Sequence, residues 1–412
     1  MPDIERLVPT RMTVDASEEL QRVSSGQRGI TPFDDRVVAF VNDLSRKLRN
    51  DPFVRGTPAL AALSFWVRSA SIQRLKADWE RLCQVHSNLI RVPQGVAFHL
   101  PPRNVDTLFV YSWLLSALAG NANVIRLSQT ALVDSERLID LIAEAVSTNE
   151  LLSASTSFVT YGHEEDVTIA FSDADLRIIW GGDETISAIR TLPSAPYCRD
   201  IAFPDRYSMA ILSAESINSA EESAMNDLAQ RFYNDAYWFD QLGCASPRLV
   251  LWLGEKDSAT SASTRFKNAL VGELRRREHE SPGTSTVLSK LVHSTDLAAS
   301  GIVKTIDWKA NDATFAEVRD LHESLRESPG GGLFYEATIN NLNDLATFIT
   351  RKDQTVSCFG LTAEEARRLA AISGARGIDR VVSVGDALTF DRFWDGRDLL
   401  YEFTRAISIT GM

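Results

Sequence analysis

Cys244 lies in the segment GCASP (243–247), a turn-like stretch directly before the apolar run RLVLWL (248–253). A thiol presented by a turn beside a strand projects from a rigid scaffold, the setting in which a thiolate can attack an acyl carbon. A second reading stays open on residue type alone, because an isolated cysteine also serves as a small buried hydrophobe. Cys83, Cys198 and Cys358 have less suggestive settings: a helical pattern, a proline-containing loop and a β-rich run. Asn104 ends the turn PPRN (101–104) between a β-rich run and a helical pattern. An amide donor beside a helix N-terminus can polarise a carbonyl oxygen, and asparagine is equally a good turn and cap residue. Arg126 stands near the end of the run ANVIRL (122–127), and Ser128 follows it. A cation and a hydroxyl at the carboxyl edge of a parallel sheet suit a phosphate or a ribose, with an ordinary exposed strand-end arginine as the alternative. In WGGDET (180–185), Gly181 and Gly182 let a ligand approach the backbone ahead of Thr185, although GxGxxG spacing is absent. Asp183 and Glu184 suit the helix dipole there but repel a closely docked pyrophosphate. His99 is the histidine beside these segments and reads as a satisfied strand residue.

The elements that must position these residues follow from periodicity. From about residue 90 onward, short β-rich runs alternate with helical patterns, the signature of βα units around a mostly parallel sheet. GVAFHL (95–100) leads through PPRN into a helix opened by Asp106 and stopped at Gly120, then into the strand ANVIRL. The series continues with a helix near 131–147, strands at 157–162 and 176–180, a helix after Gly182, and the strand YSMAIL (207–212), which reads as closing one domain. A second α/β series follows: a helix near 216–232, the irregular stretch 233–247, the strand at 248–253 and a long polar helix near 264–280. Strands at 302–308, 333–339 and 355–361 and a helix at 362–373 complete it, with SPGTSTVLS (281–289) read as a loop. Residues 1–90 look mainly helical. The expected organisation is therefore a helical region at 1–90, an α/β cofactor domain at 91–215, a catalytic α/β domain at 216–385, and a tail at 386–412 returning to the cofactor domain or an oligomer interface.

The chain has 412 residues, 44% apolar and 24% charged, which provides for two or three domains and disfavours disordered or collagenous classes. Its net charge of −12, with no long basic block, argues against a broad nucleic-acid or anionic-membrane surface. The four cysteines form no CxxC pair and have no histidine at zinc-ligand spacing, so neither a disulfide framework nor a metal site is expected. TLFVYSWLLSALAG (107–120) is shorter than the ~20 residues that span a bilayer and reads as a buried helix; with no signal-type N-terminus, a cytoplasmic protein without a membrane span is expected.

Taken together, PQGVAFHLPPRNVDTLFVYSWLLSALAGNANVIRLS (93–128), IIWGGDETISAIR (178–190) and FDQLGCASPRLVLW (239–252) resemble the LuxC-like acyl-CoA reductases, long-chain fatty acyl reductases of the aldehyde dehydrogenase superfamily. GIDRVVSVGDALTF (377–390) and WDGRDLL (394–400) look like the same family, so the resemblance covers about residues 90–412. It implies a Rossmann-type cofactor domain and a catalytic domain facing each other across a cleft, with Cys244 as nucleophile and Asn104 in the Pro-x-Asn turn that helps hold the oxyanion. The superfamily's ribose-holding Lys-Pro-Ser corresponds to Arg126-Leu127-Ser128, a departure that keeps the charge and favours NADPH over NADH, because a guanidinium suits a 2′-phosphate. The Gly-Ser-type helix start corresponds to Gly181, Gly182 and Thr185. Where hydrolytic members carry a Glu-Leu-Gly-Gly segment, this chain reads RDIAFPDRYSMAIL (199–212), without a glutamate to activate water; Asp200 nearby reads as structural or solvated.

The resemblance thus implies NADPH-dependent reduction of a fatty acyl thioester, either acyl-CoA or an acyl group delivered by a partner such as a LuxE-like acyl-protein synthetase, to the aldehyde through a thioacyl-enzyme on Cys244. It also implies a homo-oligomer. Other readings are a short-chain acyl-CoA or acyl-phosphate reductase, an ordinary aldehyde dehydrogenase, and a non-catalytic scaffold subunit of the same fold.

Overall fold

A computed structural model of the chain describes residues 3–85, 88–102, 107–162 and 165–410, which divide into two units, residues 1–204 with 390–412 and residues 205–389. Among the described residues, the first unit carries a seven-stranded sheet in the order β2-β1-β6-β5-β4-β7-β8. Its strands are β1 (Asp3–Val8), β2 (Met12–Asp15), β4 (Val96–Leu100), β5 (Ala122–Leu127), β6 (Thr156–Thr160), β7 (Leu176–Trp180) and β8 (Arg199–Phe203), while β3 (Leu89–Pro93) pairs apart from it with Thr404–Ser408. Strands β6, β5, β4, β7 and β8 run parallel, and the chain winds from β4 outward through β5 and β6 before crossing to β7 and β8. That crossing makes a doubly wound, Rossmann-type sheet whose topological switch point lies between β4 and β7.

Between β4 and β5 runs the helix Leu108–Leu118, apolar almost throughout and buried at every position. A helix without a polar face must be enclosed on all sides. Trp66 and Phe390 pack on its Tyr111, with ring centroids 5.1 Å away in both cases, so residues from both ends of the chain help to enclose it. Each large side chain removed from water there stabilises the unit by roughly 1.5–3 kcal/mol. Among the described residues, no helix is long and apolar enough to cross a membrane. The N-terminal region is not purely helical: β1 joins the sheet antiparallel to β6, and β2 pairs antiparallel with β1 at its edge. Glu19 fastens this addition through ion pairs to Arg6 at 3.1 Å and Arg22 at 2.6 Å, with its carboxyl held below the usual range despite burial.

His99 in β4 is fully buried. Asn123 spends its amide N–H on the carbonyl of Asn121 at 2.8 Å, so its oxygen accepts from His99 Nε2 at 3.0 Å. His99 Nδ1 then accepts from the Ser112 hydroxyl at 2.9 Å, which completes a neutral imidazole. Burial pulls its pKa from 6.5 down to about 4. As pH falls below 6.5 the unfolded chain takes up this proton and the native protein does not, so stability present above pH 6.5 is lost on the way down to pH 4. By pH 4.5 that loss is about 2–3 kcal/mol. His99→Gln should flatten the acid limb by this amount when urea midpoints at pH 7.5 and 4.5 are compared with wild type; parallel limbs would contradict it.

Among the described residues, the second unit carries a seven-stranded sheet in the order β11-β12-β13-β10-β9-β14-β15. The strands are β9 (Tyr207–Ser213), β10 (Pro247–Leu253), β11 (Val303–Ala310), β12 (Ala313–Val318), β13 (Leu333–Ile339), β14 (Asp353–Phe359) and β15 (Arg380–Ser383), parallel except for the β11–β12 pair. Two apolar cores cover its faces, one around Phe232, Phe266 and Phe334 under helices Glu222–Tyr237 and Lys256–Arg276, the other around Leu249, Leu251 and Tyr335. Two expectations need correction. YSMAIL does not close the first domain: as β9 it is an interior strand of the second sheet, paired on both sides, and short alternating runs do not reveal which sheet they join. SPGTSTVLS is not a loop throughout, because Thr284 begins the helix Thr284–Ala299, whose Ser- and Thr-rich opening resembles loop composition.

Candidate active site

At the switch point of the first sheet, a cavity of about 620 Å³ opens at the carboxyl ends of the strands. Leu100 and Pro101 after β4, Arg126 of β5, Gly162 after β6, and Trp180, Gly181, Gly182 and Thr185 after β7 line it. Its size suits a small-molecule ligand, and its place is where open parallel sheets bind one. Among the sequence candidates, Arg126, Gly181, Gly182 and Thr185 therefore meet in one cavity. Ser128, half-buried directly ahead of the helix Gln129–Ser147, is not among the described lining residues.

Gly182 caps the helix Asp183–Thr191 with no side-chain hydrogen bond, so the first turn offers backbone N–H groups toward this edge. A Cβ at Gly182 would meet nothing within 4 Å, whereas one at Gly181 would rest 3.4 Å from Thr185. Neither position is crowded, so the missing side chains serve to leave the backbone at this edge open to a ligand. Asp183 and Glu184 are exposed in that turn and weaken its pull on an anion. Arg126 donates to the carbonyls of Tyr161 at 3.2 Å and Gly162 at 2.7 Å, and its guanidinium lies 5.1 Å from the Tyr161 ring centroid. It thus braces β5 against the chain leaving β6 while keeping a positive charge on the cavity wall. The cavity, the glycine-capped helix start and that charge fit a dinucleotide.

In the second unit, Cys244 occupies a tight turn closed by the Ser246 N–H donating to the Gly243 carbonyl at 3.0 Å, immediately before central strand β10. The peptide joining Gly243 to Cys244 shares one plane, so fixing that carbonyl inside the turn directs the Cys244 N–H to the opposite side. Ser208, buried in β9, donates its hydroxyl to the Cys244 carbonyl at 2.6 Å and accepts the Thr355 N–H at 3.1 Å. Gln241 is fully buried in a left-handed conformation at φ 62°. Its amide donates to the carbonyls of Pro247 and Leu333, each at 3.1 Å, and accepts the Gly332 N–H at 2.8 Å. Behind it Gly330, Gly331 and Gly332 run through three successive positive φ angles, and buried Lys290 holds the Gly331 carbonyl at 2.8 Å. Cys244 itself is half-buried.

Burial raises the thiol pKa of Cys83, Cys198 and Cys358, that of Cys358 to about 12. Asp200 forms a bidentate ion pair with the guanidinium of buried Arg177 at 2.7 and 3.0 Å. It is a structural carboxylate rather than a base. Asn104 lies outside the described residues. Sequence reasoning missed Ser208 and Gln241, whose partners are remote in the chain; the run PGGG (329–332) was the one local signal that a backbone approaches closely there.

The chain is similar in structure to the aldehyde dehydrogenase KauB from Pseudomonas aeruginosa, with a TM-score of 0.67 at 12% identity over 99% of this chain and 92% of that one. It is similar to lactaldehyde dehydrogenase from Escherichia coli, with a TM-score of 0.63 at 12% identity over 99% and 95% of the two chains. It is also similar to a 1-pyrroline-5-carboxylate dehydrogenase from Thermus with bound NAD, with a TM-score of 0.64 at 13% identity over 99% and 90%. These likenesses establish the aldehyde dehydrogenase fold. No curated protein matches the chain in sequence. Residues 83–406 match the family model for acyl-CoA reductase (LuxC), and the chain belongs to that family.

Proposed function

We propose that this acyl-CoA reductase family member converts a fatty acyl thioester to the free aldehyde through a thioacyl intermediate on Cys244, with NADPH as reductant. The Cys244 thiolate attacks the thioester carbonyl and forms a C–S bond, giving a tetrahedral oxyanion. The outward-directed N–H of Cys244, joined by the amide of Asn104, stabilises that charge. Collapse expels the carrier thiolate, which takes up a proton. NADPH, when bound, supplies a hydride to the thioacyl carbon. Cys244 then leaves the resulting thiohemiacetal as thiolate, and the aldehyde is released with the enzyme regenerated. Arg126, Ser128, Gly181, Gly182 and Thr185 hold the dinucleotide in this reading. An acyl group handed over by a partner synthetase would enter by the same attack.

The observation that carries the proposal is the turn at Cys244, which fixes a half-buried cysteine at the head of central strand β10. The lack of a glutamate in 199–212, with Asp200 bound to Arg177, supports reduction, since a water-activating base would hydrolyse the intermediate. The test is aldehyde production from an acyl-CoA chain-length series with NADPH, set beside NAD(P)-dependent aldehyde oxidation. Reduction should dominate; oxidation to the free acid without reduction of any acyl-CoA would overturn it.

The cofactor preference yields its own expectation. Arg126→Ala should raise the KM for NADPH about tenfold, corresponding to roughly 1.4 kcal/mol, with a smaller change for NADH. Steady-state kinetics with both cofactors checks this. Equal changes would mean that Arg126 serves only as the brace to Tyr161 and Gly162.

A further inference from the structure

One of the bonds that hold the Cys244 turn to its surroundings is made by a single hydroxyl. Ser208 Oγ uses both of its capacities there, donating to the Cys244 carbonyl at 2.6 Å and accepting the Thr355 N–H at 3.1 Å. Both bonds lie at the same end of the sheet, where β9 sits between β10 and β14, so the hydroxyl joins the turn to two strands. Ser208 is buried, as is Thr355, and water cannot replace the bond between them without reopening the packing. With the Gly243 carbonyl held by the Ser246 N–H, the peptides on both sides of the Cys244 Cα are fixed. The Cα–Cβ direction follows from those two planes, so the thiol is aimed by backbone anchors before its rotamer is chosen.

We propose that Ser208 is a positioning residue for Cys244: its hydroxyl fixes the carbonyl side of the nucleophile and thereby sets the direction of the thiol and of the N–H that faces the oxyanion. This rests on the reading of Cys244 as nucleophile. Ser208 touches no reacting atom, and its effect is on how often the thiolate stands in the attacking geometry. Removing the hydroxyl takes away the partner shared by the Cys244 carbonyl and the buried Thr355 N–H, so the turn loses its link to β9 and β14 and is free to shift. A shift of the order of 1 Å at a nucleophile costs roughly a hundredfold in rate.

The test compares Ser208→Ala with Ser373→Ala, a control in the same unit. Ser373 is also buried, and its hydroxyl donates to the Ala370 carbonyl of its own helix at 2.8 Å. The primary readout is iodoacetamide alkylation of Cys244 as a function of pH, followed by peptide mass spectrometry on the full chain. Ser208→Ala should alkylate at least fivefold more slowly or with a displaced pH midpoint, and Ser373→Ala should follow wild type. With acyl-CoA, kcat should fall ten- to a hundredfold in Ser208→Ala at an unchanged KM. An alkylation profile for Ser208→Ala matching wild type would overturn the proposal. Alkylation needs no acyl donor, so a wild-type protein that reduces no acyl-CoA while Ser208→Ala still alters Cys244 alkylation would fail the functional reading and leave the positioning role standing.

Discussion

Cys244→Ala will lower acyl-CoA reduction by at least about 10⁴-fold, which is roughly 5.5 kcal/mol of transition-state stabilisation. The loss is this large because a methyl group cannot form the C–S bond through which every turnover passes, and the remaining binding and oxyanion contacts give only residual catalysis. Binding should survive. Cys244 is half-buried in a turn held by backbone bonds and by Ser208, so exchange of thiol for hydrogen should alter stability by less than about 1 kcal/mol. The diagnostic pattern is thus a collapsed kcat with an unchanged thermal midpoint and unchanged binding of NADPH by fluorescence titration. Substantial residual turnover in a folded variant would require another nucleophile, and burial raises the thiols of Cys83, Cys198 and Cys358.

The second large effect is expected at Gly332, which no side chain beyond hydrogen can replace. Its φ is 80°, and a Cβ there would stand 1.9 Å from the backbone carbonyl oxygen of Asp312. A flexible side chain could swing aside; a carbonyl in the turn between β11 and β12 cannot move without carrying both strands. Tyr237 also donates to that oxygen at 2.8 Å, so movement there breaks a second contact. Gly332→Ala combines left-handed strain with this collision and should cost about 3 kcal/mol. For a unit of this size that corresponds to a midpoint lower by roughly 6–12 °C. Because the Gly332 N–H donates to the Gln241 side chain, which in turn binds Pro247 at the start of β10, the folded fraction should also turn over more slowly. Differential scanning calorimetry together with activity per folded molecule separates the two losses. A midpoint within 2 °C of wild type would show that the β11–β12 turn yields far more readily than its hydrogen bonds imply.

The alternation of β-rich and helical patterns was enough to place the strands around 95–100, 122–127, 176–180 and 333–339, because each couples an apolar run to clear turn chemistry. Sheet membership was less legible. Strand β9 follows β8 closely in sequence yet leads the second sheet, since hydrogen-bond partners chosen across more than a hundred residues leave no local trace. The N-terminal strands β1 and β2 were likewise hidden among helical residues, as their place in the sheet depends on the pairing of β1 with β6 across more than a hundred residues. At the site, Arg126 and the Gly181–Gly182 pair could be singled out by type and position, and the structure brings them to one cavity. Ser208 and Gln241 could not, for an ordinary serine within a strand and a glutamine ahead of a turn acquire meaning only through the backbone groups they meet.

The central claim is the covalent acyl group on Cys244, and intact-protein mass spectrometry after incubation with a fatty acyl-CoA, without reductant, tests it most directly. The account predicts a mass increase of one acyl group per chain, mapped by peptide analysis to Cys244, discharged as aldehyde when NADPH is added and absent from Cys244→Ala. Aldehyde formation by the wild-type protein through an acyl group mapped to another residue, or an adduct that persists in Cys244→Ala, would contradict it.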